Sequence, residues 1–459
     1  MRKTWILNVI SATLLLFCLL CLAVLPCYAV AAPSLPEPPD TSGAKAVYLY
    51  NFESDQSILE KNLTERLAPA STVKIASGLV SIGALSNRLD ETVTVQADML
   101  SSVGGTKLGL KAGDMLSVRD LLYASICGGY NDATEVLACV VSGSQEAFVR
   151  RLNECLAEWG CHNTYYTNAT GMDDAGMYTT LSDVTVLAKR AIEDSLYMTV
   201  SSAISYSFVL KNRDENLLVY NRNALISPYY YQGCQSKYAK GLIAGMTDRG
   251  GYCVATYAEY NGSRYLCIVM GAGGASGSIP SSFSIAYALL QHAFLNCAYT
   301  PIAYAGDRMC DMTVRLALPN SKEGAATVPC VLKEDLYALL PEDIEAEDLS
   351  FRPYLHRNTW DAPIAKGSVV GGTDVYYGDT WLCHAKLVVA EDVERNSMLA
   401  TLAWMRAEIL SRRTLVSLIS FSAMCGVYFL VIWNRRRQPL VPRRSEPANA
   451  QKTPKRPRP

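Results

Sequence analysis

The sequence has few charged residues and almost no excess of one sign. Charged side chains make up 19% of the 459 residues, and the formal net charge is −1. Hydrophobic residues make up 50% of the chain, which excludes a disordered or fibrous protein. The lack of a basic excess argues against a nucleic-acid partner. The length is enough for two ordinary domains, each with a hydrophobic core.

Residues that hold metal ions are scarce or scattered. The chain has four histidines, which lie far apart in sequence: His162, His292, His356 and His384. Between residues 33 and 413 the cysteines are odd in number and form no Cys-x-x-Cys pair. We therefore expect no metal site. We interpret these cysteines as small buried hydrophobic residues. One or two disulfides among them remain an alternative.

The N-terminus has the pattern of an export signal. Arg2 and Lys3 precede an apolar run over residues 9–25, and small residues follow at 29–32. We predict a signal peptide over residues 1–32, cleaved near Ala31 or Ala32, with an uncleaved membrane anchor as the alternative. A proline-rich linker over 33–42 would connect it to the first folded segment.

A second apolar run, residues 414–433, contains no charge and is bracketed by arginines. Twenty residues of helix span about 30 Å, the thickness of a bilayer core. We predict one transmembrane helix here, preceded by a connecting helix over 393–413 and followed by a basic cytoplasmic tail over 434–459. Since Lys and Arg favour the cytoplasmic side, the folded domains are expected on the extracellular face of the cell membrane.

The segments between these termini predict two domains of different character. Apolar segments joined by a polar turn at 53–55 predict strands at 46–50 and 57–59, and segments joined by an Asn-Gly pair predict strands at 252–259 and 264–270. Helical spacing predicts helices at 72–85, 118–126, 132–141, 145–159, 181–195 and 282–295. The predicted fold class is α+β, because a sheet built from both chain ends around a helical insert fits this order over residues 44–298. Short alternating segments predict a small β-rich domain over 301–392.

The sharpest candidate for chemistry is Ser71-Thr72-Val73-Lys74, at the start of a predicted helix. Residues i and i+3 share a helix face, so the Lys74 amine can approach the Ser71 hydroxyl. A serine hydroxyl needs a base to become a nucleophile, and a desolvated lysine can supply one. The alternative role is a plain helix N-cap. Ser42 and Lys45 have the same spacing beside the linker, which shows how weak the spacing is alone.

Further motifs follow Ser71 in order. They lie at 121–123, 131–133, 168–173, 178–180, 240–247, 251–253 and 362–367. Together with Ser71 and Lys74 they make the sequence resemble the serine D-alanyl-D-alanine carboxypeptidases, the low-molecular-mass penicillin-binding proteins that trim peptidoglycan stem peptides. The resemblance covers residues 44–413. It implies a penicillin-binding-protein and β-lactamase-like transpeptidase fold, followed by the β-rich domain and the transmembrane helix.

The resemblance also implies an acyl-enzyme mechanism without a cofactor. Ser71 is expected to attack the penultimate peptide carbonyl, with Lys74 as base and Asn131 positioning the substrate. The expected substrate is a peptidoglycan stem peptide, and a β-lactam is an expected ligand. The strand that binds the substrate is expected to contribute Ile243, Gly245 and Thr247.

Two of the three family motifs are altered in this chain. The Ser-x-Asn motif aligns with Gly129-Tyr130-Asn131, which lacks the hydroxyl that relays a proton to the leaving amine. The Lys-Thr-Gly motif aligns with Ile243-Ala244-Gly245, which lacks the cation that holds the substrate carboxylate. Candidate replacements are Ser125, Lys240 and Arg249. The alternative hypothesis is therefore a catalytically impaired homologue that binds peptidoglycan or a cell-wall partner through the same groove.

Overall fold

The computed structural model describes residues 35–101, 103–276, 278–318, 325–409 and 412–437. The predicted signal peptide and residues 438–459 of the predicted tail lie outside the described residues. The chain divides into two compact units. The larger unit holds the chain up to residue 309 together with 332–354 and 372–387, and the smaller holds 310–331, 355–371 and the chain from 388. The predicted domain boundaries at 44–298 and 301–392 stay predictions.

Both units combine helices and strands. The strands are β1 (Ala46–Asn51), β2 (Gln56–Lys61), β3 (Thr92–Thr94), β4 (Met115–Ser117), β5 (Ser205–Leu210), β6 (Glu215–Tyr220), β7 (Ala239–Thr247), β8 (Gly251–Tyr260), β9 (Ser263–Ala272), β10 (Ala275–Ser276), β11 (Ile279–Pro280), β12 (Ala298–Ala303), β13 (Arg308–Arg315), β14 (Ala325–Leu332), β15 (Leu336–Leu340), β16 (Leu349–Leu355), β17 (Trp360–Asp361), β18 (Val369–Tyr377) and β19 (Thr380–Val389). The α-helices are α1 (Val73–Leu85), α2 (Val118–Leu122), α3 (Asn131–Ser142), α4 (Gln145–Glu158), α5 (Leu181–Glu193), α6 (Ser195–Ser201), α7 (Ser281–Asn296), α8 (Ser397–Ile409) and α9 (Arg412–Arg437).

A five-stranded antiparallel sheet with the order β2-β1-β9-β8-β7 is the frame of the larger unit. The N-terminal strands therefore join strands from about 200 residues later, as the order of the predicted elements indicates. Strand β1 is buried along its whole length because its two faces enter different cores. Tyr48 and Tyr50 pack into the core on the helical side, and Val47 and Leu49 pack into the core on the α7 side. Strand β7 lies at the edge of this sheet.

The helical insert surrounds α1, in which eleven of thirteen residues are buried. A helix that is apolar on all sides belongs in the middle of a bundle, and α1 packs against α3, α4, α5 and α6. The predicted helix over 118–126 is α2 followed by a π-helical turn, Tyr123–Cys127. The predicted helix over 181–195 is α5, and α6 follows it directly. The β5–β6 hairpin was not predicted from the sequence.

The chain after residue 298 is rich in strands, as predicted. In the larger unit, β12 pairs with β15, and β18 lies between β16 and β19. In the smaller unit, β13 lies between β14 and β17. The predicted helix over 393–413 begins later, at Ser397, because Val393 and Arg395 are extended and form bridges to Ile364 and Ala317.

One helix in the described part of the chain is long and apolar enough to cross a membrane. It covers Leu415–Arg437, and none of it is buried in the fold. An exposed apolar helix of this length fits a membrane span better than a core helix. The chain is therefore compatible with a single-pass membrane protein. The cysteines in the described residues are free, and most of those before α9 are buried, as the sequence analysis expects.

Candidate active site

A cleft of about 480 Å³ lies along β7 in the larger unit. Four of the residues predicted for the site line it: Ser71, Asn131, Gly245 and Thr247. Lys74 lies one helical turn from Ser71 and is buried. Of the predicted residues, Ile243 does not line the cleft. The sequence motifs thus meet at one place, although they are separated by more than 170 residues along the chain.

Ser71 lies in a tight turn at the head of α1. The turn is the 3-10 helix Ala70–Thr72, which runs directly into α1. Ala70 has a φ of 47°, an uncommon conformation for a residue with a side chain. Ser71 is not the N-cap of either helix, and neither N-cap makes a side-chain capping bond. The plain capping role considered for Ser71 is therefore absent from this geometry.

A glycine in the loop over 168–173 lets that loop press against the Ser71 turn. Gly171 has a φ of 84°, and a Cβ built on it would lie 1.8 Å from the carbonyl oxygen of Ala70. No side chain fits between the two backbones. The close packing fixes the turn from outside, which is what a reactive hydroxyl needs for a constant position.

Lys74 is fully enclosed beside this loop, with a side chain that is 1% exposed. Its Nζ donates to the carbonyl oxygen of Thr170 at 2.7 Å. Burial lowers the pKa of Lys74 to about 7; Glu135 opposes this shift and Arg222 adds to it. A lysine with a pKa near neutrality can lose its proton and accept one from a hydroxyl. The arrangement therefore supplies a base one turn from Ser71.

Strand β7 forms the opposite wall, and its Gly245 lies directly against the serine side chain. A Cβ on Gly245 would lie 2.2 Å from Ser71 Oγ, so only glycine fits here. Because β7 is an edge strand, the backbone groups on its free side have no partner strand in the described part of the chain. An extended peptide can pair with such an edge and present its carbonyl to the neighbouring hydroxyl.

The side chains of Ile243 and Thr247, the other two residues predicted on β7, make contacts within the fold. Ile243 is 2% exposed and belongs to the core on the helical side, so the position aligned with the family lysine is apolar and closed. Thr247 lines the cleft, but its hydroxyl donates to Asp173 Oδ1 at 2.7 Å and accepts from the Gly250 amide at 3.0 Å. Thr247 therefore links the β7–β8 turn to the loop over 168–173.

Asn131 is the first residue of α3 and lines a third side of the cleft. Its Nδ2 donates to the Gly104 carbonyl at 2.8 Å, and its backbone amide donates to Thr106. The next residue, Asp132, accepts from the backbone amides of residues 108–110. These bonds attach the loop over 104–110 to the start of α3, so the Asn131 side chain is fixed where it borders the cleft.

The three replacements considered from the sequence have partners elsewhere. Ser125 is buried and shares a hydrogen bond with Thr134. Lys240 forms an ion pair with Glu259. The Arg249 guanidinium donates to the backbone carbonyl of Asp174. None of the three lines the cleft, so they do not supply the missing hydroxyl or cation.

A cation that sequence reasoning missed does line the cleft. Arg222 follows β6, and its guanidinium lies 4.2 Å from the ring centre of Tyr230 and donates to the Gly128 carbonyl at 3.3 Å. Its stem occupies the space next to Gly129, where an added Cβ would lie 3.2 Å from Arg222 Cγ. It is the one Lys or Arg among the described residues that line this cleft. No sequence signal identified it, because positions 129 and 222 are distant in the chain.

Comparison with known proteins identifies the family. The family described as D-alanyl-D-alanine carboxypeptidase matches residues 32–274, more than half of the chain. The chain belongs to this family. The C-terminal domain of penicillin-binding protein 5 matches residues 313–395. In the described residues, no group of three or more His, Cys, Asp or Glu side chains could hold a metal ion.

Relatives in this carboxypeptidase family are distant in sequence. D-alanyl-D-alanine carboxypeptidase DacF of Bacillus subtilis is 29% identical over 232 residues, which is 50% of this chain and 57% of DacF. DacD of Salmonella typhimurium is 26% identical over 389 residues, which is 82% of this chain and 93% of DacD. The crystal structure of DacD from Francisella tularensis has a TM-score of 0.60 at 23% identity and covers 81% of this chain and 100% of that one. Penicillin-binding protein 5 from Haemophilus influenzae has a TM-score of 0.53 at 24% identity, over 78% and 100% of the two chains. These structures share the fold with this chain.

Proposed function

We propose that this chain is a serine-type D-Ala-D-Ala carboxypeptidase that acts on peptidoglycan stem peptides through an acyl-enzyme on Ser71. The observation that carries the proposal is the pairing of Ser71, in a rigid turn beside an edge strand, with a buried lysine whose pKa is lowered to about 7. Family membership supports the same reaction. β-Lactams, which resemble the end of the stem peptide, are expected to acylate the same serine.

The reaction begins with the peptide paired along the free edge of β7. Neutral Lys74 takes the proton of Ser71 as Oγ bonds to the penultimate carbonyl carbon. The head of α1 presents backbone N–H groups and a positive helix end to the oxyanion that forms. The C–N bond then breaks, the proton goes from Lys74 to the leaving D-alanine, and water hydrolyses the acyl-enzyme. No cofactor takes part.

Arg222 is the group we assign to the terminal carboxylate of the substrate. The family lysine is an isoleucine here, and Ile243 is closed into the core. The Arg222 guanidinium borders the same cleft, and a guanidinium binds carboxylates in a bidentate way. The Arg222 side chain runs past Gly129, where a Cβ would lie 3.2 Å from Arg222 Cγ. The glycine that replaces the motif serine therefore leaves room for the Arg222 side chain.

The topology proposed for the full chain is a single-pass membrane protein. The segment Leu415–Arg437 would span the bilayer. The arginines at its C-terminal end favour the cytoplasmic side, which would leave the cleft on the extracellular face, where peptidoglycan lies.

The test is release of D-alanine from an acylated tripeptide ending in Lys-D-Ala-D-Ala by the full-length protein in detergent. Ser71→Ala should abolish release. Ser42→Ala is the matched control, since Ser42 has the same spacing to a lysine but is exposed and bonded to Asp40. No release by a folded parent protein would favour the impaired homologue that only binds peptidoglycan or a cell-wall partner.

A further inference from the structure

A second cavity, of about 510 Å³, adjoins the cleft. Thr170 and Met172 line both spaces. The second cavity carries three carboxyl groups, Glu135, Glu146 and Asp174, and the guanidinium of Arg150. The reaction proposed above uses none of these groups, so their presence beside the site needs a separate explanation.

Glu135 differs from the other two acids because it is buried. Its side chain is 6% exposed, whereas Glu146 and Asp174 are exposed to solvent. It lies on α3 four residues after Asn131, and residues at this spacing share a helix face. Burying a carboxyl without a partner is costly, and glutamate is rarely enclosed unless it is paired.

The partner available to Glu135 is Lys74. Helix α1, which carries Lys74, packs against α3. Lys74 Nζ donates to Thr170 O at 2.7 Å, and Ser77 Oγ, one turn later, donates to Ala169 O at 2.7 Å. Thr170 and Ala169 both line the second cavity with Glu135. The enclosed amine therefore bonds to a segment that lines the second cavity together with the enclosed carboxyl.

We propose that Glu135 is a positioning residue for Lys74: its carboxyl is the counter-charge that sets the protonation state of the base, and the second cavity lets the pair exchange protons with water. This rests on the proposed function of the Ser71 site. Glu135 does not touch the substrate and acts only through Lys74.

The charges around the pair agree with this role. Burial raises the pKa of Glu135 to about 7, Lys74 opposes the shift, and Glu146 adds to it. On Lys74, burial and Arg222 both favour loss of the proton, and Glu135 alone opposes them. The remaining groups that face Glu135 are Arg150 and Asp174 on the cavity wall and the thiol of Cys139, whose pKa is raised by burial and then by Glu135.

Glu135 would prevent Lys74 from becoming too weak a base. A general base works best when its pKa lies near the working pH, and burial beside an arginine would push that of Lys74 lower still. The proton balance of the reaction is unchanged: the Ser71 proton moves to Lys74 and leaves on D-alanine. Before the reaction, gain or loss of a proton sets the charge of Lys74 and Glu135. Only this proton passes between Glu135 and water in the second cavity.

The test is the rate of acylation by a fluorescent penicillin, measured on the full-length protein in detergent from about pH 5 to about pH 10. In Glu135→Gln the acid limb of the profile should move to lower pH by about one to three units, since the amide keeps the shape and removes the negative charge. Glu154→Gln, an exposed acid on α4 outside both cavities, should keep the parent profile. The proposal would be overturned if the acid limb of Glu135→Gln stayed at the pH of the parent limb. It would also be overturned if Glu135→Gln lost the same fraction of its rate at every pH.

A second readout needs no enzyme activity. The pKa of Glu135 is raised from 4.5 to about 7, so its stabilising contribution is present below pH 4.5 and is lost as pH rises through about 7. The melting temperature of Glu135→Gln, relative to the parent, should therefore rise over that window, while that of Glu154→Gln stays level. A level difference for Glu135→Gln would contradict the buried pair. If this shift occurs but no protein is acylated, the proposed function fails, whereas the buried, titrating carboxyl of Glu135 stands.

Discussion

A single methyl group on β7 should disable the site without unfolding the protein. In Gly245→Ala the new Cβ would lie 2.2 Å from Ser71 Oγ and 2.5 Å from Ser71 Cβ, whereas atoms in ordinary contact are about 3.5 Å apart. The serine or the strand must move by about 1 Å. A displacement of that size costs about 10²-fold in rate, which corresponds to about 2.7 kcal/mol of transition-state stabilisation.

The assay for this variant is the rate of acylation by a labelled penicillin, read together with the melting temperature. Gly83→Ala is the control, because Gly83 lies on the same helix as Lys74 and an added Cβ meets nothing within 4 Å. The control should react at the parent rate. Gly245→Ala acylated as fast as the parent, with a normal melting temperature, would refute the position assigned to Ser71 Oγ.

Three further outcomes follow from the same geometry. Arg222→Ala should lower kcat/KM for a peptide with a free terminal carboxylate by about 10- to 100-fold, from the loss of one charged hydrogen bond; an equal loss with the amidated peptide would contradict the carboxylate role. Acylation of the parent should rise as pH increases through about 7, where Lys74 loses its proton, and Lys74→Arg should be inactive at every pH because arginine stays charged. Deletion of 414–459 should yield a soluble protein with the parent melting temperature, since Leu415–Arg437 buries nothing in the fold; an aggregated product would count against it.

Local patterns were sufficient to predict the sheet, the helical insert and the neighbouring positions of Ser71 and Lys74. The continuous apolar run at 46–50 reflects two cores on opposite faces of β1, and Ser71 and Lys74 lie within one helical turn. Arg222 and Glu135 were not predicted from the sequence. The proposed role of Arg222 depends on its position beside Gly129, and that of Glu135 on Lys74, and both neighbours belong to other elements. For Glu135 a weak signal existed, since it lies four residues after Asn131 on one helix face.

The register of β7 could not be predicted either. Alternation puts Ile243 on the same strand face as Gly245, but only the packed structure shows that Gly245 meets Ser71 while Ile243 is closed into the core. Likewise, Thr247 stays a predicted substrate contact, although its hydroxyl is bonded to Asp173. The general rule is that spacing along the chain predicts a pair on one helix, whereas the partners of a side chain across the cleft come from the tertiary fold.

The most direct measurement of the central claim is the intact mass of the full-length protein after incubation with a labelled penicillin, followed by peptide mapping. The account predicts one adduct per chain, located on Ser71, and none on Ser71→Ala. An adduct on another residue, or no adduct on a parent protein that melts cooperatively, would contradict the claim that Lys74 activates Ser71 in this cleft.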